Sequence, residues 1–296
     1  MSDVMTDAAT EFAPAKVNFT LRVGGPRADG YHPLESLVVF ADWSDQLRAL
    51  PAETLTLSLT GPGAEGLQAD PQNLVLKAAY ALRAAADKPE LGATLTLDKH
   101  LPVAAGLGGG SSDAAAALRL LNRVWDLGFS IKQLAEIGTV VGADVPACVH
   151  ARPLRMEGIG ERVTPLIAWP ALHGVIVHPG APVPTGPVFK AYDATEPGRL
   201  MPGKPMIAGT LDDAIDRLLL DGNDLQAPAI AQTPVIQTAL DVLSAQPGAR
   251  LARMSGSGAS CFALFETADA AQAGADVIAR EHADWTAKAV VFGGAA

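Results

Sequence analysis

From Lys16 to Val23 apolar and polar positions alternate, with Val17, Phe19, Leu21 and Val23 on one face and Lys16, Asn18, Thr20 and Arg22 on the other. A period of two belongs to a strand with one face in a core. The stretch therefore predicts a half-buried strand carrying a polar row, preceded by a frayed end of ten or so residues. "GGPRADGYH" (24–32) reads as a turn. "ESLVVFADW" (35–43) and "ETLTLSLTG" (53–61) predict further strands, the second setting Leu55, Leu57 and Leu59 against Thr54, Thr56 and Ser58. The period then becomes helical: Leu74, Ala78, Ala81, Leu82 and Ala85 share a face, with Asn73 as the cap. "ATLTLDKHLP" (93–102) predicts a strand feeding a glycine loop. A helix from about Ser112 follows, with Ala114, Ala117, Leu118, Leu121 and Trp125 on one stripe and Arg119, Asn122, Arg123 and Asp126 opposite. "IKQLAEIGTVVG" (131–142) predicts a second helix.

The texture changes at about 165. A proline-rich stretch surrounds one short strand, Gly174 to His178; a helical patch near 210–220 and a helix near 227–245 follow. The end reads strand (249–255), turn (256–260), strand (261–266), helix (268–281), strand (288–293), the order of a split β-α-β sandwich. No internal repeat is present. The chain reads as two α+β domains, 1–165 and 166–296.

Composition narrows the function. The 296 residues, 49% of them hydrophobic, suit a folded globular chain, and a net charge of −10 argues against binding nucleic acid. Cys148 and Cys261 are far apart and predict two free thiols in a reducing compartment. The N-terminus has no signal-peptide pattern and no apolar run approaches a membrane span, so the expected location is cytoplasmic, with no membrane contact. No protein partner is inferable. The six histidines show no metal-ligand spacing.

The sharpest chemical signal is "GLGGGSSDAAAAL", residues 106–118. Four glycines allow close backbone approach to a ligand, and a helix start presents unpaired N–H groups with a partial positive charge. Together they predict an anion site, against the plainer reading of a linker with a serine cap. The loop lacks the lysine of a P-loop, and Ser111 stands where the dinucleotide fingerprint needs its last glycine. Protein-kinase catalytic motifs are absent. Other candidates have plain readings too: Lys16 a solvated strand lysine, Asp144 a helix cap ahead of Pro146, Tyr31 and His32 local loop packing, Phe189 a helix core residue, Lys99 a strand-end lysine, "SGSG" (255–258) a hairpin turn. Asp113 predicts a favourable charge at the helix start.

Pro102, Gly106-Leu107 and Ser111-Ser112 resemble the phosphate motif of the GHMP kinases. "PAKVNFTLRV", "RADGYH", "GADVP", "GIGE" and "MSGSGASCFALF" follow the order of one branch of that family. The resemblance implies an α+β two-domain fold, with a ribosomal-protein S5 domain 2-like N-terminal domain, a ferredoxin-like C-terminal domain and the site in the cleft between them. It implies transfer of the γ-phosphoryl group of ATP to the 2-hydroxyl of 4-diphosphocytidyl-2-C-methyl-D-erythritol, in the non-mevalonate route to isoprenoid precursors. Lys16 and Asp144 would be the catalytic pair, with Asp144 the base. Pro102, Val103, Ala104, Ala105, Gly106, Leu107, Gly108, Gly109, Gly110, Ser111 and Ser112, with Asn73 and Lys99, would bind ATP. Asn18, Tyr31, His32, Thr185 and Phe189 would bind the cytidyl substrate, and "SGSG" would close on the site. Mg2+ would arrive with ATP, keeping several waters and needing no protein cage. Two departures stand out: Ala104 and Ala105 replace a further glycine common in such loops, and "HARPLRMEGIGE" (150–161) replaces a glycine-rich approach. The rival readings are another GHMP small-molecule kinase and a catalytically silent nucleotide-binding module.

Overall fold

The structure is a computed structural model that describes residues 8–200, 203 and 206–293. In chain order it contains β1 (Ala9–Asn18), β2 (Arg22–Val23), β3 (Leu34–Ala52), β4 (Leu55–Thr60), α1 (Leu74–Ala86), β5 (Gly92–Asp98), α2 (Gly109–Val124), α3 (Ile131–Gly138), α4 (Val145–His150), β6 (Leu154–Gly158) and β7 (Arg162–Pro165). Then follow β8 (Leu172–His178), α5 (Thr185–Asp193), α6 (Leu211–Leu219), α7 (Gln226–Gln232), α8 (Val235–Ser244), β9 (Ala249–Met254), β10 (Cys261–Phe265), α9 (Ala268–Glu281) and β11 (Thr286–Phe292). Residues 1–7 of the expected frayed end lie outside the described residues; from Ala9 the chain is strand.

The chain forms two compact units. Unit 1 is Met1–Ala15, Ser44–Val103 and Gly108–His150; unit 2 is Lys16–Trp43, Ala104–Leu107 and Ala151–Ala296. The sequence placed a boundary at 165; here residues 16–43 and 104–107 group with the C-terminal part. One cause is aromatic: Phe19 stacks on Phe262 at 4.8 Å and meets Phe292 edge-on at 5.1 Å.

In unit 1 the second half of β3 pairs antiparallel with β5, and β4 pairs parallel with β5. A parallel pair needs a crossover, and α1 lies in it. Asn73 caps α1 as expected, its Oδ1 accepting from Val75 N at 3.0 Å. α1 packs on α2, and α4 packs on α2 and α3. α2 departs from the two-stripe expectation. Ala114 through Leu118 are all buried, so the alanine run serves a helix covered on several sides. The helix of 131–142 stops at Gly138, where an added Cβ would lie 2.7 Å from a Val145 methyl.

Unit 2 carries the order β11-β8-β10-β9 with every neighbouring pair antiparallel. Helices join β8 to β9, and α9 joins β10 to β11. The two strand–helix–strand halves therefore interleave, as a ferredoxin-like domain requires. Val175, Val177, Ile236, Leu240, Phe265 and Ile278 belong to its core. The first half of β3 pairs with β2, β6 and β11. The helix expected over 227–245 is two helices, because Pro234 cannot donate in a continuous helix.

The half-buried strand is corrected in two ways. It ends at Asn18, and Phe19 N and Thr20 N both donate to Leu37 O, at 2.8 and 3.4 Å. This two-against-one pairing is the geometry of a bulge. Its polar row is also buried: Lys16, Asn18 and Thr20 expose 2–4%.

Candidate active site

The glycine loop leaves β5 and enters α2 three residues earlier than the sequence predicted. Gly108 is the N-cap, in a left-handed conformation with φ 61°, and supplies no side-chain cap. The first bond of this turn runs from Ser112 N to Gly108 O at 2.9 Å. The N–H groups of Gly109, Gly110 and Ser111 precede it, at the positive end of a 16-residue helix. Ser112 is itself buried, its Oγ donating to Pro14 O at 2.7 Å. Gly106 has φ 76°, and a Cβ there would lie 2.7 Å from Gly258 O, so only glycine fits. Ala104 has φ 55°. That conformation costs an L-residue about 1–2 kcal/mol.

Lys99, expected to reach a nucleotide phosphate or ribose, is held by two carboxylates. In unit 1 its Nζ is buried between Asp45, in very short contact, and Asp113, at 2.8 Å. Asp45 Oδ1 also accepts from His100 N at 2.5 Å and Leu101 N at 2.7 Å. Asp113 is no first-turn charge for the α2 dipole, since the first turn holds no acidic residue. Burial pushes its carboxyl up to about 8 against the pull of Lys99, and Asp45's charge adds to the rise. Burial also opposes the Lys99 ammonium, but the two carboxylates outweigh it and raise its pKa. Asp45 is a functional candidate that sequence reading missed; it lies 54 positions from Lys99.

In unit 2 the polar row forms a hydrogen-bonded network. Lys16 Nζ donates to Asn18 Oδ1 at 3.3 Å, Asn18 Nδ2 to Ser36 Oγ at 2.7 Å, and Ser36 Oγ to Thr20 O at 2.6 Å. Asn18 N donates to Ser255 Oγ, which donates to Gly106 O at 3.2 Å. Lys16 N binds Leu107 O at 2.8 Å and Ser260 N binds Ala105 O at 3.2 Å. The loop segment 104–107 is thus fastened by the first strand and by the 255–260 turn. Asn223, also missed, steadies that turn by donating to Met254 O and Gly256 O, both at 2.8 Å.

Tyr31, His32 and Phe189 come together in unit 2, as expected. They line a cavity of about 380 Å³ with Lys190 and Asp193. The His32 and Phe189 rings lie 4.8 Å apart, tilted by 40°. His32 Nε2 meets Asp193 Oδ1 at 2.7 Å. Lys190 and Asp193 were missed; they stand one and four residues after Phe189 on α5, a spacing that puts Asp193 on the same helix face. Thr185 is outside the lining and bonds Ser257 Oγ at 2.9 Å.

Asp144, in unit 1, is half-buried and immediately precedes α4; its carbonyl accepts from Cys148 N at 3.1 Å, the helix-start arrangement read from Pro146. Asn73 donates to Gln68 O as well as capping α1.

Residues 73–152 match the pattern of the GHMP kinases N-terminal domain and residues 208–284 that of the GHMP kinases C-terminal region. The chain is 49% identical over 287 residues to a 4-diphosphocytidyl-2-C-methyl-D-erythritol kinase of Cereibacter sphaeroides, covering 95% of this chain and 97% of the relative. It is 48% identical to the protein of that name from Granulibacter bethesdensis, over 93% and 91% of the two chains. A crystal structure of a 4-(cytidine 5'-diphospho)-2C-methyl-D-erythritol kinase superposes with a TM-score of 0.78 at 33% identity, covering 97% of this chain and 100% of the other. Homoserine kinase from Cytophaga hutchinsonii shares the fold, with a TM-score of 0.70 at 18% identity over 98% and 96%. By its sequence in both halves and by its fold, the chain belongs to the GHMP kinases.

Proposed function

We propose that this enzyme transfers the γ-phosphoryl group of ATP to the 2-hydroxyl of 4-diphosphocytidyl-2-C-methyl-D-erythritol, releasing ADP and the 2-phosphate. The observation that carries the reading is the cavity lined by Tyr31, His32 and Phe189. Its aromatic walls suit a flat pyrimidine, and relatives nearly half identical over 93–95% of this chain are named as kinases of that compound. The exposed loop backbone and the start of α2 receive the ATP phosphates. Asp144 orients the attacking hydroxyl and takes its proton late, which suffices because the transition state of phosphoryl transfer is loose. Lys16 stabilises the charge on the transferring group, and Asn18 holds the acceptor end.

Magnesium enters as part of the MgATP substrate. Among the described residues no group of three or more His, Cys, Asp or Glu side chains is placed to hold a metal ion.

The test is Phe189→Ala. Loss of one stacking face is expected to raise KM for the cytidyl substrate about tenfold, on the scale of base–aromatic stacking, with KM for MgATP unchanged. An unchanged KM for the cytidyl substrate would remove the cavity from the account.

A further inference from the structure

The Lys99 cluster holds a charge problem that the phosphate-transfer chemistry does not explain. One ammonium faces two carboxylates, and the three side chains expose 3%, 0% and 5% for Lys99, Asp45 and Asp113. With both carboxylates ionised the site would carry an uncompensated buried negative charge, which a protein interior strongly disfavours. A single proton removes it. The hydrogen bonds say where that proton sits. Asp45 receives Lys99 Nζ, His100 N and Leu101 N, all of which favour an ionised acceptor. Asp113 receives Lys99 on Oδ2, while its buried Oδ1 has no hydrogen-bond partner. An ionised oxygen in that position would be desolvated without return, so the proton belongs to Asp113.

The cluster also has a mechanical position. Asp45 grips the backbone of residues 100 and 101, the entry stem of the glycine loop, and Asp113 lies in the second turn of α2, the exit stem. Lys99 joins them, its Nζ lying 3.1 Å from where a Cβ on Gly109 would stand. We propose that Asp113, as the neutral acid, is a positioning residue of the phosphate loop, locking the first turn of α2 to the strand that feeds the loop. This rests on the phosphate-loop reading of residues 102–112. The charged groups facing Asp113 are Lys99, after β5, and Asp45, on β3; His100 turns to Asp98 instead. Loss of the proton near pH 8 adds a second negative charge beneath the helix start and loosens the lock.

Two readouts test this. The first is the unfolding free energy of wild type and Asp113→Asn from pH 5 to 9. The native carboxyl keeps its proton to about 8, whereas the unfolded one releases it near 3.8. Over the range between them the native state holds one more proton, so wild-type stability falls as pH rises. Relative to Asp113→Asn, the wild-type folding constant is expected to fall by up to tenfold per pH unit, about 1.4 kcal/mol, levelling above pH 8. A flat difference from pH 5 to 8 would mean an ionised Asp113 and would overturn the proposal. The second is calorimetric binding of MgATP at pH 7 and 9. Wild-type Kd is expected to rise severalfold at pH 9; Asp113→Ala is expected to show a raised Kd already at pH 7, restored by Asp113→Asn. Equal Kd values for all three at both pH values would overturn the positioning role. No MgATP binding by folded wild type, with the pH slope present, would instead overturn the phosphate-loop reading and the positioning role with it.

Discussion

Each unit buries a polar cluster along the loop segment it owns, and the two clusters are built differently. In unit 1 two carboxylates enclose Lys99. In unit 2 amide, hydroxyl and backbone groups link Asn18, Ser36, Thr20 and Ser255 around Lys16. Removing Lys99 or Asp45 from the ionic cluster is costly, because the opposite charge is left unpaired and dry. In the unit 2 network a lost hydroxyl or amide partner costs about one hydrogen bond's worth at a time. The stems of the loop are therefore held by charge, and its middle by backbone hydrogen bonds and the Ser255 hydroxyl.

The largest expected effect falls on the chemistry itself. Asp144→Asn should lower kcat about 10³-fold, the scale of a lost general base, while leaving the unfolding midpoint at pH 7 close to wild type. Unchanged turnover would return Asp144 to the role of helix start alone. Next, Asp45→Ala should cost about 3–5 kcal/mol in denaturant unfolding, since it strips Lys99 of a partner and orphans two backbone donors. A cost below about 1 kcal/mol would show that water relieves this cluster. Ser36→Ala should cost about 1–3 kcal/mol, leaving Asn18 Nδ2 and Thr20 O unpaired, and the cost should be the same at pH 6 and pH 9. A pH-dependent cost would break the contrast between the two clusters. Smallest is Ala104→Gly, expected to stabilise by about 1 kcal/mol by relieving the left-handed alanine. Destabilisation would mean that the alanine methyl contributes packing that outweighs the strain.

The sequence shows much of this because periodicity reports which residues share a face. The strands of "ESLVVFADW" and "CFALFE", the Asn73 cap and the α9 helix are legible for that reason. Periodicity does not report what covers a face. The row Lys16, Asn18, Thr20 looks solvent-facing in sequence and is buried, because Ser36 and Ser255, the latter 237 positions from Asn18, supply its partners. The same limit hid Asp45 behind Lys99 and placed Asp193, 161 positions away, beside His32. Tyr31, His32 and Phe189 became a site in the sequence only through the family resemblance, since an aromatic in a loop and another in a helix carry no mark of sharing a cavity.

The identity of the phosphate acceptor is the central claim to test. Purified protein is incubated with MgATP and equal concentrations of 4-diphosphocytidyl-2-C-methyl-D-erythritol, homoserine and mevalonate, and the products are separated and weighed by mass spectrometry. The cytidyl compound is expected to gain one phosphoryl group on its 2-oxygen, matched by ADP, while the other two return unchanged. Preferential phosphorylation of homoserine or mevalonate, or no turnover by folded protein that binds MgATP, would contradict it.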